Sequence, residues 1–328
     1  MNVPRDLVEE SYVSCRRMSR QAGSSFCAGF LLLPREKRRA MDALYAFMRH
    51  TDDLADDIKP RPALAPIDPR RDALMAWRAS LEQALLGDFS GGQTFLSVPG
   101  QTGMSAPLSI SLLPALADAM KRFHIPHEHL TAVIDGVEMD LDRRRYETFD
   151  DLRLYCQRVA SAVGLACIYV WGFRGPEAFE PARQAGVALQ LTNILRDLKE
   201  DAASGRVYLP LEDLRQCGYT VDDLSAGVIN EPFFRLMRLE IERAEQHYRA
   251  ANELMDWLEP DGRRIFGMMM STYRALLSRI EHRPADVMRR HIRLGAFARF
   301  KILARWTLFA PRVGRSECQK NNVEIAGS

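Results

Sequence analysis

The spacing of apolar residues constrains this chain more than any other feature of the sequence. In the stretch PREKRRAMDALYAFMRHTDDLADD, apolar side chains recur every three or four residues, at Met41, Leu44, Tyr45 and Met48. Pro34 opens the stretch, at a position where a proline suits the first turn of a helix. Similar spacing continues along most of the sequence, and no convincing run alternates between apolar and polar residues. The sequence therefore predicts an all-α fold.

The same spacing places further helices along the chain. The stretch 88–107 is rich in Gly, Ser, Thr and Pro and is interpreted as a loop, and 205–227 as a connector. No shift in composition marks a boundary, so we expect one domain over 1–310, with helices around a central cavity. The polar tail 311–328 is expected to be disordered. The later helices are predicted at about 111–124, 126–145, 150–173, 178–202, 231–258, 260–283 and 286–309.

Composition narrows the class of protein. The 328 residues suffice for a dry interior, and 47% hydrophobic with 27% charged residues is ordinary for a globular protein. A net charge of +2 predicts no general attraction to nucleic acid. The six cysteines form no CxxC pair, which argues against a zinc ribbon or a disulfide framework. With no apolar N-terminal run and no apolar stretch long enough for a bilayer, we expect a cytoplasmic protein.

Four aspartates crowd the motif RHTDDLADD at residues 49–57. Asp52 and Asp56 are four residues apart, so on a helix they share one face. Arg49 and Tyr45 continue the same face toward the N-terminus, whereas the other two aspartates lie about 100° further round. Taken alone, the motif favours a solvated helix end, because acidic side chains usually face water.

A second motif, QLTNILRDLKED, repeats this pattern at residues 190–201. Asn193, Asp197 and Asp201 step by four residues, and Gln190 and Arg196 flank them. Carboxylate and amide oxygens are the ligands of hard cations, and helical bundles build such sites from acids on facing helices. Mg²⁺ usually completes its shell with phosphate oxygens, and arginine adds bidentate phosphate contacts. Two such stripes about 140 residues apart therefore favour a magnesium–diphosphate site over two solvated faces.

At this point the chain resembles the squalene/phytoene synthase family of head-to-head prenyl transferases. The matching segments are GSSFCAGFLLLP, LYAFMRHTDDLADD, DGVEMDL, YCQRVASAVG, QLTNILRDLKED and GRVYLP. They occur in the family's order over about residues 11–300. The resemblance implies an isoprenoid-synthase-type helical bundle around a central cavity.

The resemblance also implies roles for individual residues. The metal ligands would be Asp52, Asp56, Asn193, Asp197 and Asp201. Contacts to diphosphate or to the metals' water shell would come from Tyr45, Arg49, Gln190 and Arg196. Further matches are Ser24 and Ser25 in a segment that closes over a diphosphate, Tyr155 in the reaction cavity, Tyr273 near a diphosphate, and Arg206 and Tyr208 in a flap. Asp140 could be an acid behind the metal ligands.

One segment departs from the family pattern. Several relatives have His-Ser-Lys-Ser where this chain has Ala22, Gly23, Ser24 and Ser25, so one lysine contact to phosphate is missing. The sequence SSF followed by LLLP is most similar to the bacterial presqualene diphosphate synthases.

The reaction implied by the resemblance joins two farnesyl diphosphates to presqualene diphosphate, with Mg²⁺, or Mn²⁺ in its place. Continuation to squalene would require NADPH, for which no glycine-rich dinucleotide motif is present. One alternative is a phytoene synthase that uses geranylgeranyl diphosphate. Another is a non-catalytic assembly protein, although such a protein is expected to lose ligand residues. Prenyl diphosphates are the expected partners, together with downstream enzymes of isoprenoid synthesis.

Basic residues concentrate near the C-terminus. About ten Arg or Lys residues and only two acids lie between Arg279 and Arg315, interleaved with bulky apolar side chains. The pattern is compatible with a helix at the inner face of a membrane, but it slightly favours a basic helix that packs on the core.

Overall fold

A computed structural model describes residues 4–21, 27, 29–56, 68–87, 105–142 and 145–308 of the chain. The predictions for Ser24, Ser25, most of the loop at 88–107 and the tail 311–328 lie outside these residues.

The described residues form α-helices joined by short connections. The helices are α1 (Arg5–Gln21), α2 (Arg35–Asp56), α3 (Pro69–Leu85), α4 (Ser105–Phe123), α5 (His127–Asp142), α6 (Phe149–Cys156), α7 (Ala162–Trp171), α8 (Phe179–Ala203), α9 (Leu211–Cys217), α10 (Val221–Ser225), α11 (Glu231–Ala251), α12 (Leu254–Trp257), α13 (Pro260–His282) and α14 (Ala296–Leu308). The 3₁₀ turns are Phe30–Leu32, Pro176–Ala178 and Pro284–Met288, and a π-helical segment, Gln157–Ser161, joins α6 to α7.

The prediction of an all-α fold is confirmed. Among the described residues, only two isolated β-bridges occur, Arg145 with Val207 and Phe173 with Leu258. One continuous hydrophobic core extends from Tyr12 to Ile292. Helix α8 crosses its centre, where it packs against α7, α11 and the π-helical segment, while α2 packs against α1 and α4.

Several helix boundaries differ from the predictions. The helix predicted at 231–258 ends at Ala251, and the short helix α12 follows Asn252 and Glu253. The helix predicted from 286 begins only at Ala296. The preceding segment forms a 3₁₀ turn that starts at Pro284, and residues 291–295 are not helical. The predicted connector 205–227 contains the short helices α9 and α10. In α10, Thr220 and Asp223 form a reciprocal capping box that stabilises a single turn of helix.

The continuous helical stretch Phe149–Trp171 is the one candidate membrane span among the described residues. Its mean hydropathy of 1.2 reaches the level of a spanning helix, but 56% of the window is buried inside the protein. Its apolar side chains are therefore accounted for by packing against other helices of the protein. The stretch also supplies part of the wall of the cavity described below.

Candidate active site

Helix α2 positions the first acidic motif. Met41, Leu44 and Phe47 are buried in the core and fix the rotation of the helix. Asp52 and Asp56 are exposed in the last two turns, one turn apart. Arg49 pairs with Asp53 at 2.7 Å, although the sequence placed it on the stripe of Asp52.

Asp52 lies among other acids. Burial raises its pKa to about 7, the carboxylates of Asp56, Asp53 and Asp140 add to this, and Arg49 opposes it. The side chain keeps accessible surface, so the pKa reflects loss of bulk water around the carboxylate and not full enclosure. A cation at this position would therefore be held strongly by the ionised form.

Helix α8 positions the second motif in the same way. Buried residues of α8 face the core, and Asn193, Asp197 and Asp201 are half-buried along a different face. Arg196 donates from Nε to Asp197 Oδ1 at 2.7 Å and from Nη2 to Oδ2 at 2.5 Å. Burial, followed by the charge of Asp197, raises the pKa of Asp201 to about 7. The buried residues are Leu191, Thr192, Ile194, Leu195 and Leu198.

One buried oxygen in this cluster has no hydrogen-bond partner among the described residues. Oδ1 of Asn193 is buried and accepts no hydrogen bond from any described residue, while its Nδ2 lies 3.4 Å from Oε1 of Gln190. A buried carbonyl oxygen without a partner is costly unless a ligand fills the place. The amide oxygen of Asn193 and the carboxylates of Asp197 and Asp201 form the donor set that Mg²⁺ prefers.

The two motifs meet around Asp140 on α5. The charge of Asp140 raises the pKa of both Asp52 and Asp201, so this carboxylate lies within electrostatic reach of both helices. The hydroxyl of Tyr208 donates to Asp140 Oδ1 at 2.8 Å and Oδ2 at 2.7 Å, and Arg206 Nη1 lies 3.8 Å from Oδ2. Asp140 is thus already partnered, and it fits a role behind the metal ligands.

Tyr155 belongs to a cluster of three tyrosines. Its ring lies 5.3 Å from that of Tyr208 and 5.5 Å from that of Tyr146. The side chain is buried, and burial raises the pKa of its hydroxyl well above the usual range. Tyr155 does not line the apolar cavity, although the resemblance placed it in the reaction cavity.

An apolar cavity of about 250 Å³ opens beside the second motif. At its polar side, the structure brings together four residues that the sequence singled out, namely Tyr45, Gln190, Asn193 and Tyr273. Small residues of α7, α8 and the π-helical segment leave room for the cavity, and large side chains form the rest of its wall. The small residues are Ala160, Gly164, Ala182, Ala185 and Gly186; the large ones include Ile168, Trp171, Leu254, Phe266 and Met269.

Two residues near the site were not found from the sequence. His291 Nδ1 lies 3.5 Å from Asp197 Oδ1 and 3.2 Å from Glu200 Oε1, and the donor atoms of these three residues are close enough to share a metal ion. Arg70, held by Asp68, lies within electrostatic reach of Asp56. Neither residue belongs to a motif, and His291 is 91 residues from Glu200, so no local signal indicated them.

The arrangement of α-helices is that of the isoprenoid-synthase-type fold. The family model of squalene/phytoene synthases matches residues 19–298, so the chain belongs to that family. A phytoene synthase of Arthrospira platensis is 36% identical over 291 residues, which cover 85% of this chain and 86% of the relative. A phytoene synthase of Mycobacterium tuberculosis is 32% identical over 301 residues, 90% of each chain.

Solved structures give the same result. A squalene synthase HpnC from Alicyclobacillus acidocaldarius has a TM-score of 0.70 at 27% identity, covering 85% of this chain and 96% of that one. A dehydrosqualene synthase in complex with a ligand has a TM-score of 0.72 at 25% identity, covering 92% and 96%. The family consists of enzymes of the prenyltransferase type. The resemblance inferred from the motifs is thereby confirmed.

Proposed function

We propose that this protein condenses two molecules of farnesyl diphosphate head to head (1'-1) to presqualene diphosphate. One allylic C–O bond breaks and releases diphosphate, and the 2,3 double bond of the second substrate attacks the cation. Loss of a proton then closes a cyclopropane ring. The observation that carries the proposal is the unpartnered Oδ1 of Asn193 between an acidic helix face and an apolar cavity.

Magnesium is the metal that these residues fit. Asp52 and Asp56 would hold it on α2, and Asn193, Asp197 and Asp201 on α8, with Mn²⁺ as a substitute. When bound, the metal supplies positive charge that stabilises the departing diphosphate. Since the pKa of both Asp52 and Asp201 is about 7, the ligand carboxylates ionise readily at slightly alkaline pH.

The arginines bind and orient the diphosphates. Arg196 holds Asp197 through two hydrogen bonds, so the guanidinium must exchange this carboxylate for phosphate oxygens when substrate arrives. Arg49 and Arg206 keep partial exposure and lie near the two acidic motifs, where each can make a bidentate phosphate contact. Their pairing with acids in the free protein keeps them oriented toward the site.

The cavity protects the carbocation. Its apolar wall excludes water, and the rings of Tyr45 and Tyr273 at its polar side can face a cation. The released diphosphate is a suitable proton acceptor, so the mechanism requires no histidine base. A further reduction by NADPH to squalene is an extension of the proposal that product identification decides.

Geranylgeranyl diphosphate is the second candidate substrate. It is favoured by the names of the curated relatives, which at 32–36% identity are phytoene synthases. The two substrates differ in the length of chain that the cavity must enclose. Incubation with each diphosphate and Mg²⁺, with and without NADPH, distinguishes them by product, and exclusive turnover of the C20 substrate would overturn the choice of farnesyl diphosphate.

The substitutions Asp52→Asn and Asp197→Asn test the site itself. Each removes one charge from a different metal-binding face, so we expect Mg²⁺-dependent diphosphate release to fall by a factor on the order of 10² or more. The matched control is Asp72→Asn, the same change at an exposed position of α3 whose carboxylate has no hydrogen-bond or ion-pair partner among the described residues. Full activity in both site variants would show that the metal ligands lie elsewhere, whereas a wild type that releases no diphosphate would indicate a binding protein.

A further inference from the structure

Helix α14 presents an apolar stripe to solvent. Phe297 is 80% exposed, Phe300 67% and Leu308 72%, and their spacing of three and eight residues keeps them on one side of the helix. They are among the most exposed large apolar side chains in the described part of the chain. Single exposed apolar residues scattered over a surface are ordinary, whereas a group of them on one side of a helix indicates a binding surface.

The opposite side of α14 is anchored to the protein. Trp306 is buried, and its Nε1 donates to Ser271 Oγ at 2.9 Å. Its ring lies so close to Gly267 that a Cβ there would be 2.1 Å from the indole. At about 100° per residue, Trp306 points about 180° away from Phe297. The orientation of the stripe toward solvent is therefore fixed by a specific contact on α13.

Positive charge surrounds the stripe. Between residues 287 and 308 the sequence contains six Arg or Lys residues and no acid. Arg290 pairs with Asp286 at 2.5 Å, whereas Arg293, Lys301 and Arg305 have no carboxylate partner within 4.0 Å among the described residues. At about 100° per residue, Lys301 and Arg305 lie within about 80° of Phe297, beside the stripe. The segment thus combines unpaired cations with an outward apolar edge.

We infer that α14 and the preceding basic segment, residues 289–308, dock this protein on an anionic lipid surface. An interfacial helix needs apolar side chains on one face and Lys or Arg beside them, and each cation near an anionic leaflet adds about 1 kcal/mol. A second copy of this chain is the less suitable occupant, because two like-charged segments would repel each other. Three apolar side chains also fall short of the roughly 800 Å² per partner that a stable dimer buries.

Docking at this surface places the bilayer next to the substrate cavity. Gly267 and Ser271 of α13 face α14, while Phe266, Met269 and Tyr273 of the same helix line the cavity. A single helix therefore separates the lipid-facing stripe from the apolar chamber. This position suits an enzyme with long apolar substrates, and the inference itself depends only on the surface of α14.

Vesicle flotation of the full-length protein tests the inference. The probes are phosphatidylcholine vesicles with and without phosphatidylglycerol. We expect flotation only with the anionic lipid, and loss of at least about tenfold in bound fraction for Phe297→Ser/Phe300→Ser/Leu308→Ser. Lys301→Gln/Arg305→Gln is expected to weaken binding at low salt. The control Val13→Ser/Met75→Ser changes side chains that are 69% and 50% exposed on α1 and α3, and should float like the wild type.

Three outcomes would overturn the inference. Equal flotation with neutral and anionic vesicles would remove the role of the cations. Unchanged flotation of the triple variant, with unaltered thermal unfolding, would place the lipid contact elsewhere. A wild-type dimer in sedimentation that becomes monomeric in the triple variant, without any flotation, would assign the stripe to a second copy. Activity with soluble substrate is measured in parallel, so failure of the proposed reaction remains distinguishable.

Discussion

At the scale of single residues, two buried acids share one arginine between α9 and α11. Arg243 donates to both oxygens of Asp213, at 2.7 and 3.1 Å, and to Glu240 Oε2 at 2.8 Å. Burial raises the pKa of Glu240 to about 8, Asp213 adds to the increase, and Arg243 opposes it. One arginine cannot neutralise two carboxylates, so the site favours the protonated form of Glu240.

The substitution Glu240→Gln should remove a pH dependence of stability. A raised pKa in the folded state means that the contribution of Glu240 is complete below its unfolded pKa and is lost as pH rises toward about 8. The slope is at most about 1.4 kcal/mol per pH unit. We expect the variant to gain stability relative to wild type between pH 5 and 8, measured as the free energy of unfolding in urea.

The control for this experiment is Glu242→Gln, at an exposed position of the same helix. Its stability should follow the wild type at every pH. Parallel curves for the wild type and Glu240→Gln would show that Glu240 is ionised throughout this range.

At the scale of the elements, the π-helical segment between α6 and α7 depends on glycine. A Cβ on Gly186 of α8 would lie 2.4 Å from Ser161 Cα and 2.5 Å from its backbone nitrogen. On the other side, a Cβ on Gly136 of α5 would lie 2.6 Å from a methyl group of Val159. The widened helical turn is therefore packed between two helices that approach it more closely than any larger residue allows.

Gly186→Ala should consequently destabilise the protein and disturb the cavity that Gly186 lines. Because the contact is with backbone atoms, the helices must separate, and we expect a loss of about 1–3 kcal/mol in the free energy of unfolding. Gly295→Ala is the matched control, since a Cβ there meets nothing within 4 Å. Equal stability of the two variants would mean that α8 shifts without cost.

At the scale of the whole molecule, folding brings together acids that are distant in sequence. Asp52 on α2 and Asp201 on α8 each have a pKa of about 7, and Asp140 on α5 contributes to both. Below this pKa, Asp52 and Asp201 are mostly protonated, which relieves the repulsion between the neighbouring carboxylates. This stabilising contribution to the folded state is lost as pH rises through 7. The metal-free protein thus carries a concentration of negative charge that a cation would neutralise.

We expect Mg²⁺ with inorganic diphosphate to raise the thermal unfolding temperature more at pH 8 than at pH 6. At pH 6 both carboxylates are mostly protonated and must release protons when the metal binds, which weakens binding. In EDTA, Asp52→Asn should lose less stability than wild type between these pH values. An identical increase in unfolding temperature at both pH values would show that these carboxylates do not hold the metal.

The sequence by itself determined the features that local geometry controls. Steps of four residues on a helix place Asp52 with Asp56, and Asn193 with Asp197 and Asp201, whatever surrounds them. The all-α class and the family followed from this spacing and from the order of the motifs. Helix ends were not determined in this way: the termination of α11 at Ala251 and the start of α14 at Ala296 depend on packing as well as on local residues.

Only the tertiary structure decided which distant side chains meet. Tyr208 bonds Asp140 across 68 residues, and Trp306 lies against Gly267. The tertiary structure also decided that Arg49 pairs with Asp53. The C-terminal basic helix α14 packs on the core through one face and exposes an apolar stripe on the other. Contacts of this kind arise from how whole helices pack, and the periodicity of one helix carries no information on the rotation and position of its neighbours.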